Sequence, residues 1–208
     1  MVKPLHRTRV WDIPVRMGHW LMVIGFVLAY VTSESERWRI IHVISGTVVL
    51  ATASFRVVWG FVGSHHARFA SFVTAPRTAW RYLSSLRTDE HEACIGHNPA
   101  GGWSVLALLG ACLACALSGL AIYNEWPWLP SEHWHEAIAN VTVVLIGIHV
   151  MGVLISSTIN RENLVLAMWT GYKPWPSTGA KATSLHLMAA LALIAWIGVL
   201  VYYTTVLS

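Results

Sequence analysis

The chain has 208 residues, of which 55% are hydrophobic and 12% are charged, and its mean hydropathy is +0.54. A water-soluble domain carries about 25% charged residues, so this composition excludes an ordinary soluble globule. The formal net charge is +4, but basic residues of membrane proteins collect in cytoplasmic loops, so the charge does not indicate a nucleic-acid partner.

Five apolar segments follow one another, each long enough to cross a hydrocarbon core of about 30 Å at about 1.5 Å per residue. We therefore predict an all-α integral membrane protein, with residues 1–208 forming a single membrane domain embedded in lipid. The predicted helices are about residues 15–31, 38–62, 101–123, 135–159 and 183–207. The first segment starts too late for a cleaved signal peptide and lacks a small-residue cleavage site, so we interpret it as a retained helix.

The longest connection is the loop of residues 63–100, between the second and third predicted helices. Within it, Trp80 and Leu83 alternate with Arg81 in a pattern that suits an amphipathic helix lying on the membrane surface. A solvated loop is the alternative interpretation, and the sequence leaves both open.

Basic residues are divided unevenly between the two sets of connections. One side carries 12 lysines and arginines. It consists of the N-terminal segment, the loop 63–100, the connection 160–182 and the helix ends next to them. The opposite side carries Arg37 and Arg39. Because positive charge favours the cytoplasmic side, we predict a cytoplasmic N-terminus in the bacterial inner membrane. The outer side then has a formal charge of −3, against +7 inside.

Four histidines lie within or at the ends of apolar segments, where an ionisable residue is costly and is a candidate for function. His135 and His149 are 14 residues apart, about 40° short of four helical turns, so they share a face about 21 Å apart. His19 starts the first helix on the side of His149, and His42 starts the second on the side of His135. The sequence therefore predicts two imidazole pairs, one near each membrane face. For each histidine taken alone, the alternative is a neutral ring that is hydrogen-bonded to a neighbouring helix.

Paired imidazoles from facing helices suit a haem iron with two axial ligands, whereas zinc prefers three or four protein ligands. Gly46, four residues after His42, would leave room for a macrocycle. Arg16 and Arg39 precede His19 and His42 by three residues and could pair with propionates, or could extend to the membrane surface.

Several segments resemble the bacterial cytochrome b561 family, which includes the b-type cytochrome subunits of nickel–iron hydrogenases. The similarity covers about residues 8–173, and its motifs are Val-Arg-Met-Gly-His-Trp at 15–20, Ile-His-Val-Ile-Ser-Gly at 41–46 and the segment 134–150. The resemblance implies a four-helix bundle that holds two non-covalent, bis-histidine haem b groups, with a fifth transmembrane helix that only some relatives have. It also implies that His19 and His149 hold the inner haem and that His42 and His135 hold the outer haem.

The remaining histidines are set apart from this arrangement. His186 opens the fifth predicted helix, where it could reach a quinone or take a packing role. The others are predicted to be solvated: His6, His65, His66, His91 and His97.

A haem with two histidine ligands has no open position for substrate and suits one-electron transfer. The sequence thus favours a cytochrome that carries electrons across the membrane between the quinone pool and a periplasmic redox partner, such as a c-type cytochrome or a hydrogenase. A stand-alone, quinone-reducing superoxide oxidase is the alternative, and a haem-free anchoring subunit is a third class. The negative outer side favours docking of a basic protein over attraction of an anion. Glu125 and Glu132, with residues 126–130 between them, are a candidate docking patch or a tryptophan anchor in the interface.

Overall fold

The computed structural model describes residues 5–85, 94–126, 131–176 and 183–207. Within them the chain forms eight α-helices and a two-stranded sheet, with a 3-10 turn at Glu36–Trp38 and a π-helical turn at Tyr203–Leu207. The helices are α1 (Ile13–Val31), α2 (Arg39–Val62), α3 (Phe69–Phe72), α4 (Pro76–Ser85), α5 (Pro99–Tyr123), α6 (Glu132–Ile159), α7 (Leu164–Thr170) and α8 (Leu187–Tyr202). The strands are β1 (Leu5–Arg9) and β2 (Tyr172–Pro176).

Five of these helices, α1, α2, α5, α6 and α8, are long and apolar enough to cross a membrane when the turns next to α2 and α8 are included. This confirms the prediction of an all-α membrane protein with five spans. Some helices start at residues other than those predicted, because local capping interactions determine the first helical residue. Asp12 caps α1 by accepting a hydrogen bond from the backbone N–H of Val15, and Asn98 caps α5 in the same way from Gly101. His186 has a φ of 52°, so α8 begins only at the next residue.

The second helix is the centre of the packing, since it contacts α1, α5 and α8, while α6 packs on α5. Val49 and Ala53 of α2 join Leu109 and Cys112 of α5 in one buried apolar cluster. Gly25 lets α1 approach closely, because a Cβ atom there would lie 3.2 Å from the backbone oxygen of Ser45 in α2. The helices α2 and α5 therefore fix the relative positions of the other spans.

The predicted inner side carries structure that the sequence did not predict. There β1 pairs antiparallel with β2, with Arg9 opposite Tyr172. In the loop 63–100, the helix α4 exposes 73% of Trp80 and 47% of Leu83 while Ala79 is buried. The sequence-predicted amphipathic stretch is thus a helix with an exposed apolar side, although residue 86 lies outside the described part.

Two of the histidines that were predicted to be solvated are not. His66 is buried, and the ring of His97 packs against Trp11 and Phe72, with centroid distances of 4.7 and 4.4 Å. Contacts with residues distant in the sequence cover both rings, so the prediction was wrong for them. His65 is exposed as predicted. His91 and the side chain of His6 lie outside the described residues.

Candidate functional site

The first imidazole pair is formed by His42, near the start of α2, and His135, near the start of α6. Their ring centroids are 6.1 Å apart and the ring planes are nearly perpendicular, at 82°. The Nδ1 atom of His42 lies 2.8 Å from the backbone oxygen of Ala29 at the end of α1. The Nδ1 atom of His135 lies 3.1 Å from the backbone oxygen of Cys115 and 2.9 Å from the hydroxyl of Ser118. Two further helices, α1 and α5, thus hold this pair from α2 and α6.

These hydrogen bonds determine which ring nitrogen carries the proton. A carbonyl oxygen only accepts, so Nδ1 of His42 must donate to Ala29. The hydroxyl of Ser118 donates to the carbonyl of Cys115 at 2.8 Å, so both partners of His135 Nδ1 act as acceptors. In its neutral form each ring therefore has its lone pair on Nε2, which is the form of histidine that binds metals.

Gly119 contributes to the placement of His135. A Cβ atom at this position would lie 2.9 Å from the ring carbon Cε1 of His135. Because any side chain there would displace the ring, α5 holds His135 through the hydrogen bond of Ser118 and through the small size of Gly119.

The second pair consists of His19 in α1 and His149 in α6, at the opposite end of the bundle. His19 contacts the ring of Trp20 at a centroid distance of 5.2 Å. The Nδ1 atom of His149 lies 3.2 Å from the hydroxyl of Ser104 in α5. The structure thus brings His135 of α6 into ring contact with His42 of α2, and the pairing of His149 with His19 stays a prediction.

The residues present fit a haem with two axial histidines. A metal–imidazole bond is about 2.0 Å long, so two axial imidazoles have ring centroids about 6 Å apart, which agrees with the 6.1 Å between His42 and His135. Among the described residues no cluster of three or more His, Cys, Asp or Glu side chains could hold a metal ion. Gly46 and Gly152 have open space where a side chain would be, with no atom within 4 Å.

The two arginines predicted near propionates have different surroundings. Arg16 donates from Nη2 to the backbone oxygen of Trp169, while its Nε and the indole nitrogen of Trp20 are buried without a hydrogen-bond partner in the described part of the chain. Two unpartnered donors beside His19 suit a carboxylate. Arg39 is exposed, and its nearest anion is Glu36 at 3.9 Å.

Sequence reasoning missed a buried polar group at the start of α1 and the end of α2. Asp12 is fully buried, and its second carboxylate oxygen accepts a hydrogen bond of 3.0 Å from the indole of Trp59. Arg56, which had been counted with the inner surface charges, is also buried. It interacts electrostatically with Asp12 and lies over the ring of Phe69. An aspartate two positions before a proline, at the start of an apolar run, was the available signal for Asp12, since Asp is a common helix cap and Pro is common in the first helical turn.

A second polar cluster lies where α4, α6 and β2 meet. Lys173 is 3% exposed and forms a 2.7 Å ion pair with Glu162, together with a 3.0 Å hydrogen bond to the backbone oxygen of Cys94. Nearby, burial raises the pKa of Tyr82. Burial also lowers the pKa of His97 to about 3, with smaller contributions from the positive charge of Arg56 and from neighbouring histidines and Lys173. These groups stabilise the inner end of the bundle around the second histidine pair.

Comparison with protein families gives one match. The family described as prokaryotic cytochrome b561 matches residues 10–171, a range that contains both histidine pairs and ends before α8.

Curated relatives agree with this match. The chain is 25% identical to a "probable Ni/Fe-hydrogenase B-type cytochrome subunit" of Bradyrhizobium diazoefficiens, over 78% of this chain and 84% of the relative. It is also 25% identical to a protein described in the same words from Azotobacter vinelandii, over 79% of this chain and 87% of the relative. A "probable Ni/Fe-hydrogenase 1 B-type cytochrome subunit" of Escherichia coli K12 is 28% identical over 56% of this chain and 60% of the relative. No solved structure matches the chain.

Proposed function

The chain belongs to the prokaryotic cytochrome b561 family, and from this premise we propose that it is a di-haem b-type cytochrome that carries electrons across the membrane. The proposal treats residues 1–208 as one membrane domain in the bacterial inner membrane, with a cytoplasmic N-terminus. Its two haem b groups are held without covalent bonds, each between two histidines.

One observation carries the proposal: His42 and His135 face each other at 6.1 Å, and each has Nδ1 engaged by acceptors from the protein. Histidines that bind metals commonly have the other ring nitrogen bonded to a backbone carbonyl, which fixes the tautomer and the ring orientation.

In this proposal the protein supplies ligands and space at two depths. His42 and His135 hold the outer haem, with Gly46 beside them, and His19 and His149 hold the inner haem. Arg16 and Arg39 are the proposed propionate partners. The unpartnered Nε of Arg16 supports its role. Arg39 would have to exchange its weak contact with Glu36 for a contact with a propionate. A haem with two histidine ligands supplies one-electron transfer.

The proposed electron partners are the quinone pool and a periplasmic redox protein, as in a respiratory chain. The names of the relatives, which are hydrogenase cytochrome subunits, favour a hydrogenase over a c-type cytochrome as the periplasmic partner. The exposed outer residues Glu34, Glu125, Glu132 and Glu136 support docking of a partner with a basic patch. Residues 127–130 of the predicted docking patch lie outside the described residues.

Haem content is the direct test. Purified protein should contain two haem b groups per chain by the pyridine haemochrome assay, both low-spin in absorption spectra. The variant with His42, His135, His19 and His149 all changed to alanine should contain none, and His65→Ala, which changes an exposed histidine, should retain both. One haem or none in the parent protein would contradict the proposal.

The partner is tested by the dependence of electron transfer on salt. The rate of haem reduction by a purified membrane-type hydrogenase under hydrogen should fall as ionic strength rises, because salt screens attraction beyond about 8 Å at physiological ionic strength. Glu125→Lys and Glu132→Lys should lower the rate further. Arg37→Ala, which removes an outer positive charge, is the matched control and should not lower it. A rate that is independent of salt, with faster reaction of the lysine variants with superoxide, would instead favour the superoxide oxidase.

A further inference from the structure

The helix α5 contains two serines whose spacing matches that of the histidines on α6. Ser104 and Ser118 are 14 residues apart, as are His135 and His149. Because α5 and α6 pack side by side in opposite directions along the chain, Ser118 meets His135 at 2.9 Å and Ser104 meets His149 at 3.2 Å. The same helix thus contacts the Nδ1 atom of one ligand of each proposed haem.

The contacts of the two pairs are unequal. The Nδ1 atoms of the outer pair have three acceptors, which are the carbonyls of Ala29 and Cys115 and the hydroxyl of Ser118. In the inner pair, the Nδ1 atom of His149 has the hydroxyl of Ser104, and the ring of His19 makes no hydrogen bond within the described residues. Unlike Ser118, whose hydrogen goes to Cys115, Ser104 has a hydroxyl free to act as donor or acceptor.

An imidazole that donates its N–H to a strong acceptor gains electron density at the opposite nitrogen, so it is a more basic ligand. A more basic ligand stabilises ferric iron, which has the higher charge, relative to ferrous iron. Hydrogen bonding around the ligands is accordingly one of the means by which a protein lowers a haem potential.

We propose that Ser118 and Ser104 are positioning residues for the histidine ligands of α6, and that the outer haem has the lower potential because its ligands donate to more acceptors. The inference rests on the proposed function, since it requires both haems. An electron that enters at the outer pair then moves to the inner pair with a favourable change in free energy.

The experiment is a redox titration of the purified holoprotein followed by haem absorbance. The lower-potential component should be the one that disappears in His42→Ala. Ser118→Ala should weaken the preference of that site for ferric over ferrous haem by about tenfold, which is at the low end of the effects of partners that hydrogen-bond a metal ligand. For a one-electron couple, this corresponds to a rise in the reduction potential of about 59 mV. Ser104→Ala should change the other component and leave the first unchanged.

Two matched controls separate positioning from a general packing effect. Leu117→Ala changes an exposed neighbour of Ser118 on α5 and should retain the parent potentials. Ser118→Thr keeps the hydroxyl and should restore the potential that Ser118→Ala changes. Loss of the outer haem alone in Ser118→Ala, with recovery in Ser118→Thr, also supports the role of the hydroxyl. The inference is overturned if Ser118→Ala keeps both haems at unchanged potentials, if it shifts both equally, or if the component lost in His42→Ala has the higher potential. A parent protein without two haems would instead refute the proposed function.

Discussion

At the scale of single residues, the four membrane histidines are proposed to act in pairs that combine helices distant in the sequence. His42 and His135 are in ring contact, and His19 and His149 form the second proposed pair. Each member of a pair comes from a different helix, so neither can bind a haem iron on both sides without the other. Substitutions within a pair should therefore have the same consequence.

We expect His42→Ala and His135→Ala each to lose the outer haem, and His19→Ala and His149→Ala each to lose the inner haem. Each variant should retain about one haem per chain by the pyridine haemochrome assay, and redox titration should show which component remains. The exposed His65 provides a control variant, His65→Ala, with both components unchanged. If His19→Ala and His42→Ala removed the same component, the pairing would be wrong.

His97 is a half-buried histidine outside the membrane spans, with its Nδ1 atom buried, and its surroundings link stability to pH. Burial lowers its pKa to about 3 from the usual 6.5, so the folded protein holds the neutral ring at neutral pH. The unfolded chain binds a proton below pH 6.5, so stability falls as the pH decreases from about 6.5 towards about 3. At pH 5 the loss should approach about 2 kcal/mol.

This prediction is checked by thermal unfolding in detergent at pH 7 and pH 5. His97→Phe keeps a ring between Trp11 and Phe72 but does not titrate, so its unfolding temperature should depend less on pH than that of the parent. His65→Phe, at an exposed position, should retain the parent dependence. Equal pH dependence of the parent and His97→Phe would refute the assignment.

The residues of the candidate site were predictable from the sequence to different degrees. The spacing of His135 and His149 follows from helix periodicity, so their common face could be predicted. The burial of His66 and His97 could not, because Trp11 and Phe72 cover the His97 ring from other parts of the chain. The serines of α5 gave a signal that was not used, since the spacing from Ser104 to Ser118 equals that between the two histidines.

At the scale of secondary structure, Asp12 connects the start of α1 to the end of α2. One carboxylate oxygen accepts from the backbone N–H of Val15 at 2.8 Å, and the other accepts from the indole of Trp59 at 3.0 Å. Because the carboxylate is fully buried, its removal leaves two buried donors and the charge of Arg56 without their partner.

We expect Asp12→Ala to destabilise the protein by about 2–4 kcal/mol, as the sum of a lost cap and an unpaired indole N–H. Asp12→Asn should cost about half as much, since its carbonyl oxygen can still cap α1. Asn163→Ala removes the exposed cap of α7, which accepts only from Leu166, and should cost about 1 kcal/mol. Thermal unfolding in detergent provides the comparison, and a smaller effect for Asp12→Ala than for Asn163→Ala would contradict this role.

The long helices were predictable and the small elements were not. Runs of apolar residues marked each span, and the ends moved only by the few residues that caps determine. The strand β1 has the sequence Leu-His-Arg-Thr-Arg and β2 has Tyr-Lys-Pro-Trp-Pro, so charges and prolines hide any strand pattern. These strands form because they meet at the end of the bundle, which is information that local sequence does not contain.

At the scale of the whole molecule, the orientation of the bundle decides which histidine pair faces which compartment. The unequal distribution of basic residues predicts that β1, α4 and β2 lie on the cytoplasmic side. The exposed apolar side of α4 is then in contact with the cytoplasmic surface of the membrane. The pair of His19 and His149 is on the same side.

Reporter fusions test this orientation. Alkaline phosphatase fused after Leu207 should be active, because the end of α8 is predicted to face the periplasm, and the same enzyme fused after Thr74, before α4, should be inactive. A green fluorescent protein fusion at each position is the reciprocal control and should give the opposite pattern. Activity after Thr74 and none after Leu207 would invert the bundle and exchange the inner and outer haems.

The pairing of β1 with β2 has a consequence for the synthesis of the protein. Arg9 and Tyr172 are opposite each other in the sheet but are 163 residues apart in the chain. At about 5–20 residues per second, the ribosome completes the second strand roughly 8 to 33 s after the first. During this interval α1 is already in the membrane while β1 has an unpaired edge at its surface, where chaperones and proteases can reach it. A chain released before residue 172 lacks β2, so the backbone N–H and C=O groups of its first strand stay without their strand partner.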